Sequence, residues 1–181
     1  MTQPVLQVGM KAPSFALLST EGSTVSLDGL RGRRIVLYFY PKDDTPGCTK
    51  EACGFRDAAT RLRQANAVVL GVSRDDQKSH ERFTRKFGLT FPLLSDPDAA
   101  VCTAYGVYKN KSMYGRIFLG IERTTFIIDE EGRIAHIFPK VSVDGHIEAV
   151  LQALKAGASE TPAARPLASA KPGRSTRATR A

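Results

Sequence analysis

The residues best suited to chemistry lie in one run, Tyr40-Pro41-Lys42-Asp43-Asp44-Thr45-Pro46-Gly47-Cys48-Thr49-Lys50-Glu51-Ala52-Cys53. Thr45 suits the N-cap of a helix and Pro46 its first residue, which puts Cys48 in the first turn. There the unpaired backbone N–H groups and the helix dipole favour a thiolate over a thiol. Gly47 has no side chain to obstruct a reagent, so the run offers an activated, accessible sulfur. Cys53 follows five residues later. On an intact helix the two Cα atoms would stand about 8.6 Å apart on nearly opposite sides. A disulfide needs them within about 7 Å, so either the cysteines are unrelated or the helix start unwinds to let them meet. Gly47, Thr49 and Gly54 are weak helix formers, which makes unwinding feasible.

Other chemistries are poorly served. Zinc needs four ligands, and no second cysteine pair or histidine pair stands at ligand spacing. The Cys-x-x-Cys of a dithiol oxidoreductase is absent. His80, His136 and His146 stand alone and read as surface residues. Cys102, in Ala99-Ala100-Val101-Cys102, falls at an apolar helical position and reads as core. No metal and no organic cofactor is expected.

The elements that must hold this run follow from periodicity. Ile35 to Tyr40 is a continuous β-branched, leucine and aromatic stretch, as expected of a strand covered on both faces, and Val68 to Val72 is a second. Between them Ala52, Phe55, Ala59 and Leu62 recur at helical spacing within Gly47 to Ala65. The pattern is β-α-β, which implies parallel strands with the cysteine run at the carboxyl end of the first. Phe15 to Leu18 and Thr24 to Leu27 predict a short hairpin. Asp76 to Phe87 predicts a helix stopped by Gly88, Pro92 to Ser95 a short strand and Asp96 to Tyr105 a short helix. Thr124 to Ile128 and Arg133 to Phe138 predict a hairpin, and Val143 to Leu154 a closing helix. The fold class is α/β, a central mixed sheet flanked by helices with an N-terminal β-hairpin.

The 181 residues carry 26 Lys+Arg against 18 Asp+Glu, a net charge of +8. Residues 155–181 hold six basic residues and one acid, so five of the eight charges belong to them and three to residues 1–154. The first 154 residues suit one domain. Residues 155–181, rich in Ala, Pro, Ser, Thr and Arg, cannot bury a core and are expected to be disordered. They could give weak, salt-sensitive contact with nucleic acid or another anionic surface, and a tail-borne binder with a redox-inert core is the alternative function. No aromatic residue for stacking and no dense basic cluster supports it. The longest apolar run is six residues, far short of the roughly 20 a membrane helix needs, and no secretory signal opens the chain. A cytoplasmic protein without a membrane partner is expected.

The run from Val36 through Cys48 to Asp57 closely resembles the peroxiredoxins, in particular the PrxQ or bacterioferritin comigratory protein branch. The resemblance extends from about Val8 to Leu154 and includes Gly9 to Phe15, Gly71-Val72-Ser73, Phe91 to Asp96 and Arg123 to Asp129. Its most specific element is Pro-x-x-x-Thr-x-x-Cys with a distant arginine. The resemblance implies a thioredoxin-like fold and a thiol peroxidase acting on hydrogen peroxide and organic hydroperoxides. By motif position it makes Cys48 the peroxidatic cysteine, has Thr45 orient the peroxide through its hydroxyl, has Pro41 shield the site and sets Arg123 beside the sulfur. It makes Cys53 the resolving partner in a Cys48–Cys53 disulfide, reduced by thioredoxin, with glutaredoxin the second candidate. Other members resolve through a cysteine in the helix over Asp76 to Phe87, where this chain has none. The branch also implies a monomer. Met113, Tyr114, Phe118 and Leu119 either line an entrance for alkyl groups or are simply packed.

Overall fold

The computed structural model describes residues 4–158. The expected disorder of the basic extension lies outside the described residues, apart from its first four positions, which continue the last helix. The elements run β1 Ala16–Leu18, β2 Thr24–Ser26, β3 Arg34–Phe39, α1 Pro46–Asp57, α2 Ala59–Gln64, β4 Ala67–Ser73, α3 Gln77–Phe87 and β5 Leu93–Ser95. They continue with α4 Ala100–Ala104, β6 Tyr108–Met113, β7 Arg116–Ile121, β8 Thr124–Ile128, β9 Ile134–Phe138 and α5 His146–Ala158.

The central sheet has the order β5-β4-β3-β8-β9. β3 pairs parallel to β4 and antiparallel to β8, so it lies at the centre with every residue from Ile35 onward buried. Side chains alternate across it, and two cores result. Ile35, Leu37 and Phe39 pack with Phe15, Leu27, Cys102, Tyr105 and Phe126 on one face. Val36, Tyr38 and Tyr40 pack with Cys48, Ala52, Phe55, Leu62, Phe83 and Val150 on the other. The helix carrying Cys48 is thus clamped against the middle strand.

Two expectations need correction, and one element was missed. The single helix over Gly47 to Ala65 breaks at Ala58, whose backbone (φ −87°, ψ 5°) ends α1 and starts α2. The helix over Asp96 to Tyr105 shrinks to Ala100–Ala104. Ala99 takes a left-handed backbone at φ 59°, and the Asp96 carboxylate accepts from the Val101 and Cys102 N–H groups instead of joining the helix. Residues 108–121, assigned no element from sequence, form the β6–β7 hairpin, which among the described residues pairs with no other strand. Alternation there was legible only in part, because Ile117, Phe118 and Leu119 form an unbroken apolar triplet.

Candidate active site

α1 begins where expected, but its cap differs. Thr45 holds the N-cap position with an extended backbone, and its carbonyl accepts the first helical bond from Thr49 N–H at 2.8 Å. Its hydroxyl does not cap the helix; Oγ1 donates to the Lys42 carbonyl at 2.9 Å. Pro46 follows at the first helical position, which leaves Cys48 third in the helix, where the backbone N–H has no helical carbonyl four residues back.

The buried face of α1 is Cys48, Glu51, Ala52 and Phe55, the i, i+3, i+4, i+7 stripe of a helix on a sheet. Cys53 falls off that stripe and is half-buried. All three cysteines are free. The Cys48 sulfur is less open than the sequence suggests, with the residue only 2% exposed. Pro41 is exposed at the mouth of the same loop.

Arg123 lies between β7 and β8, and β8 runs antiparallel to β3, which brings it to the carboxyl end of β3 where α1 starts. Its Nη2 donates to Cys48 Sγ at 3.3 Å, and its Nη1 to Glu51 Oε2 at 2.5 Å. One guanidinium therefore spans two side chains one helical turn apart. Gly47 makes room for it: a Cβ there would stand 3.1 Å from Arg123 Nη2. Gly54 performs a similar service on the next turns, since a Cβ would lie 2.7 Å from Ile147 of α5.

Glu51, Tyr38 and Thr125 were not singled out from sequence and His146 was read as a surface residue, yet the four form the floor of the site. Glu51 is fully buried, and burial raises its carboxyl to about 7 although Arg123 pulls the other way. Its second oxygen, Oε1, lacks a hydrogen-bond partner and faces His146 Nε2 at 3.9 Å. His146 Nε2 pairs at 2.8 Å with Thr125 Oγ1, and burial, with help from Arg123, pushes the imidazole down to about 4. The Tyr38 hydroxyl is also buried without a partner. A signal for Glu51 existed, because it stands three residues after Cys48 and so shares its helix face. His146 left none, being a lone histidine at the start of a distant helix.

The histidine readings divide accordingly. His136 is exposed as expected, whereas His80 and His146 are buried, contrary to their reading as surface residues. His80 Nδ1 meets Asp43 Oδ2 at 2.7 Å and Nε2 meets the Leu94 carbonyl at 3.1 Å. Asp43 also accepts from the Tyr40 and Ser79 hydroxyls, and its N–H donates to Asp75. Asp43, Asp75 and His80 have the residue types of a metal site. Their atoms are already committed to one another and to the backbone, so the knot braces loop 41–45 against α3.

Cys102 is fully buried in the opposite core. Burial pushes its thiol well above the ordinary range, and the hydrogen-bonded Asp96 carboxylate adds to the effect. Met113, Tyr114, Phe118 and Leu119 are neither packed nor part of a site wall; they project on the β6–β7 hairpin and are exposed.

A thiol held at a helix start beside a guanidinium, on a mixed sheet between two layers of helices and hairpins, defines a thiol-redox protein of thioredoxin-like fold. The AhpC/TSA family description matches residues 8–137, and this chain belongs to that family. It is 56% identical over 146 residues to a putative peroxiredoxin bcp of Coxiella burnetii, covering 81% of this chain and 97% of the relative. It is 46% identical over 150 residues to peroxiredoxin Bcp of Bacillus subtilis, covering 83% and 96%. A solved structure of the Xanthomonas campestris bacterioferritin comigratory protein, studied for alkyl peroxide reduction, superposes with a TM-score of 0.79. It is 45% identical and covers 85% of this chain and 98% of its own. The chain is thus a peroxiredoxin, a thiol peroxidase. No described helix is long and apolar enough to cross a membrane.

Proposed function

We propose that Cys48 is the peroxidatic cysteine and Cys53 the resolving one. The observation that carries the first assignment is the 3.3 Å contact of the Arg123 guanidinium with Cys48 Sγ at the start of α1. A thiolate there attacks the terminal oxygen of a hydroperoxide. The O–O bond breaks, the sulfur is oxidised to a sulfenic acid, and the departing oxygen takes a proton to leave as water or an alcohol. Negative charge grows on that oxygen in the transition state, so the Cys48 backbone N–H and the guanidinium are placed to stabilise it. Thr45 orients the peroxide as an acceptor. Its proton is engaged by the Lys42 carbonyl, so Oγ1 presents lone pairs and accepts from the peroxide O–H. Pro41 shields the sulfur from bulk water, and the 2% exposure admits the hydroperoxyl end of a substrate rather than its body.

Cys53 attacks the sulfenic sulfur, an S–S bond forms and water leaves. Because α1 is continuous from Pro46 to Asp57, its first turns unwind for the sulfurs to meet. The other thiol, Cys102, is sealed in the far core. Thioredoxin, or a related dithiol, then reduces the exposed disulfide. Branch membership supports a monomer working in the cytoplasm on hydrogen peroxide and alkyl hydroperoxides. An assay coupled to thioredoxin, its reductase and NADPH tests the pair: Cys48→Ser should show no turnover, and Cys53→Ser should form the sulfenic acid yet fail to cycle. Full turnover by Cys53→Ser refutes the resolving role.

A further inference from the structure

Among the described residues eight large hydrophobic side chains are exposed, and five of them, Met113, Tyr114, Ile117, Phe118 and Leu119, lie on the β6–β7 hairpin. The hairpin pairs with no other strand, and its turn carries Tyr114, 97% exposed. Tyr114 and Gly115 both have positive φ, 51° and 73°, so the turn is tight and points Tyr114 outward. Strand alternation puts Ile117 and Leu119 on one face and Met113 and Phe118 on the other. A folded partner seated on one face would leave the other bare. Apolar groups on both faces and at the tip instead suit a medium that surrounds the hairpin.

Charge narrows the medium. Between Tyr108 and Ile121 there are three cations, Lys109, Lys111 and Arg116, and no acid. Register places all three on the Phe118 face, but Lys109 pairs with Glu122 just past the hairpin at 3.3 Å and Lys111 Nζ donates to the Ile121 carbonyl at 2.9 Å, so Arg116 beside the tip is the cation best placed for an outside anion. A second copy seated on the Phe118 face would bring like charges together, whereas an anionic surface would not. We propose that the β6–β7 hairpin docks this protein on an anionic lipid bilayer, with Tyr114 and its apolar neighbours in the headgroup interface and Arg116 on lipid phosphates. The outer edges of a two-stranded sheet carry unpaired N–H and C=O groups, so insertion stops at the interface, about 5–10 Å deep. The absence of a membrane-spanning segment has no bearing on such docking. β7 spans six residues between the tip and the turn that carries Arg123, so at about 3.3 Å per residue the docked tip stands roughly 20 Å from the Cys48 site.

The chain has no tryptophan, so Tyr114→Trp puts a single fluorophore at the tip. In the full-length protein its emission should shift to the blue with vesicles of phosphatidylcholine and phosphatidylglycerol in equal parts, and much less with phosphatidylcholine alone. Ile117→Ser/Leu119→Ser, two exposed positions, should melt as wild type does and lower the fraction pelleting with the mixed vesicles by about tenfold. Three outcomes would overturn the proposal. Emission could stay unmoved, or it could shift with protein concentration without vesicles, which identifies a second copy as the occupant. Wild-type binding could also survive the double substitution, which assigns it to the basic residues 155–181. If the double variant misfolds, the fluorophore alone decides.

Discussion

Cys48 and Cys102 are almost equally hidden, 2% and 0% exposed, and each sits near the start of a helix. Their surroundings differ in the sign of one neighbour. Cys48 has the Arg123 guanidinium at 3.3 Å, and Cys102 has the Asp96 carboxylate, which accepts its N–H at 2.8 Å. Burial raises the Cys102 thiol and the Asp96 anion adds to it, whereas the proposed role of Cys48 rests on a cation placed to stabilise negative charge at its sulfur. Helix position alone does not activate a cysteine.

The largest effects should come from the sulfurs themselves. Cys48→Ser should lower peroxide reduction by about 10³ or more, while Cys102→Ser should leave it within about twofold; loss of activity in the latter would break the contrast. Next comes the cation. Arg123→Ala should slow Cys48 oxidation in stopped flow by roughly 10²–10³. Arg123→Lys should recover only part of this, because one ammonium cannot span Cys48 and Glu51 as the guanidinium does. Asp96→Asn should leave that rate unchanged, though it weakens the start of α4. Gly47→Ala should cost about tenfold, since the new methyl meets Arg123 Nη2 at 3.1 Å and displaces it.

The smallest effects concern pH. Glu51 keeps its proton up to about pH 7 in the folded protein against an ordinary 4.5, so its contribution to stability is full below 4.5 and lost as pH rises to about 7. His146, pushed from 6.5 to about 4, contributes fully above 6.5, and that contribution is lost as pH falls through 4. The two slopes oppose each other over nearly the same window. Denaturant titrations should therefore find wild-type stability nearly flat between pH 4.5 and 6.5. Glu51→Gln should leave stability rising with pH there, and His146→Asn should leave it falling, each by a few kcal/mol at most. Flat profiles in both variants would remove Glu51 and His146 from the floor of the site.

Much of this was legible in the sequence, and the reasons separate cleanly. β3, β4 and α1 carry their burial in their own periodicity, so a local reading finds them. The start of α1 was legible because Thr45 and Pro46 sit where a helix entrance requires them, although the Thr45 hydroxyl turned to Lys42. Arg123 was placed only by family resemblance, because its proximity to Cys48 arises from the antiparallel pairing of β8 with β3. His146 and Thr125 meet Glu51 through the same long-range packing and left no local trace. His80 misled for a related reason: a lone histidine on a polar helix looks solvated until the loop bearing Asp43 folds over it. The β6–β7 hairpin escaped because its strands expose apolar residues on both faces, against the alternation by which strands are recognised.

The central claim is that the charged neighbours select Cys48 and that α1 then unwinds to pair it with Cys53. Peptide mass mapping after one equivalent of hydrogen peroxide tests it most directly. A Cys48–Cys53 disulfide with Cys102 still a free thiol is expected; a Cys48–Cys102 crosslink, or oxidation of Cys102 ahead of Cys48, would contradict it.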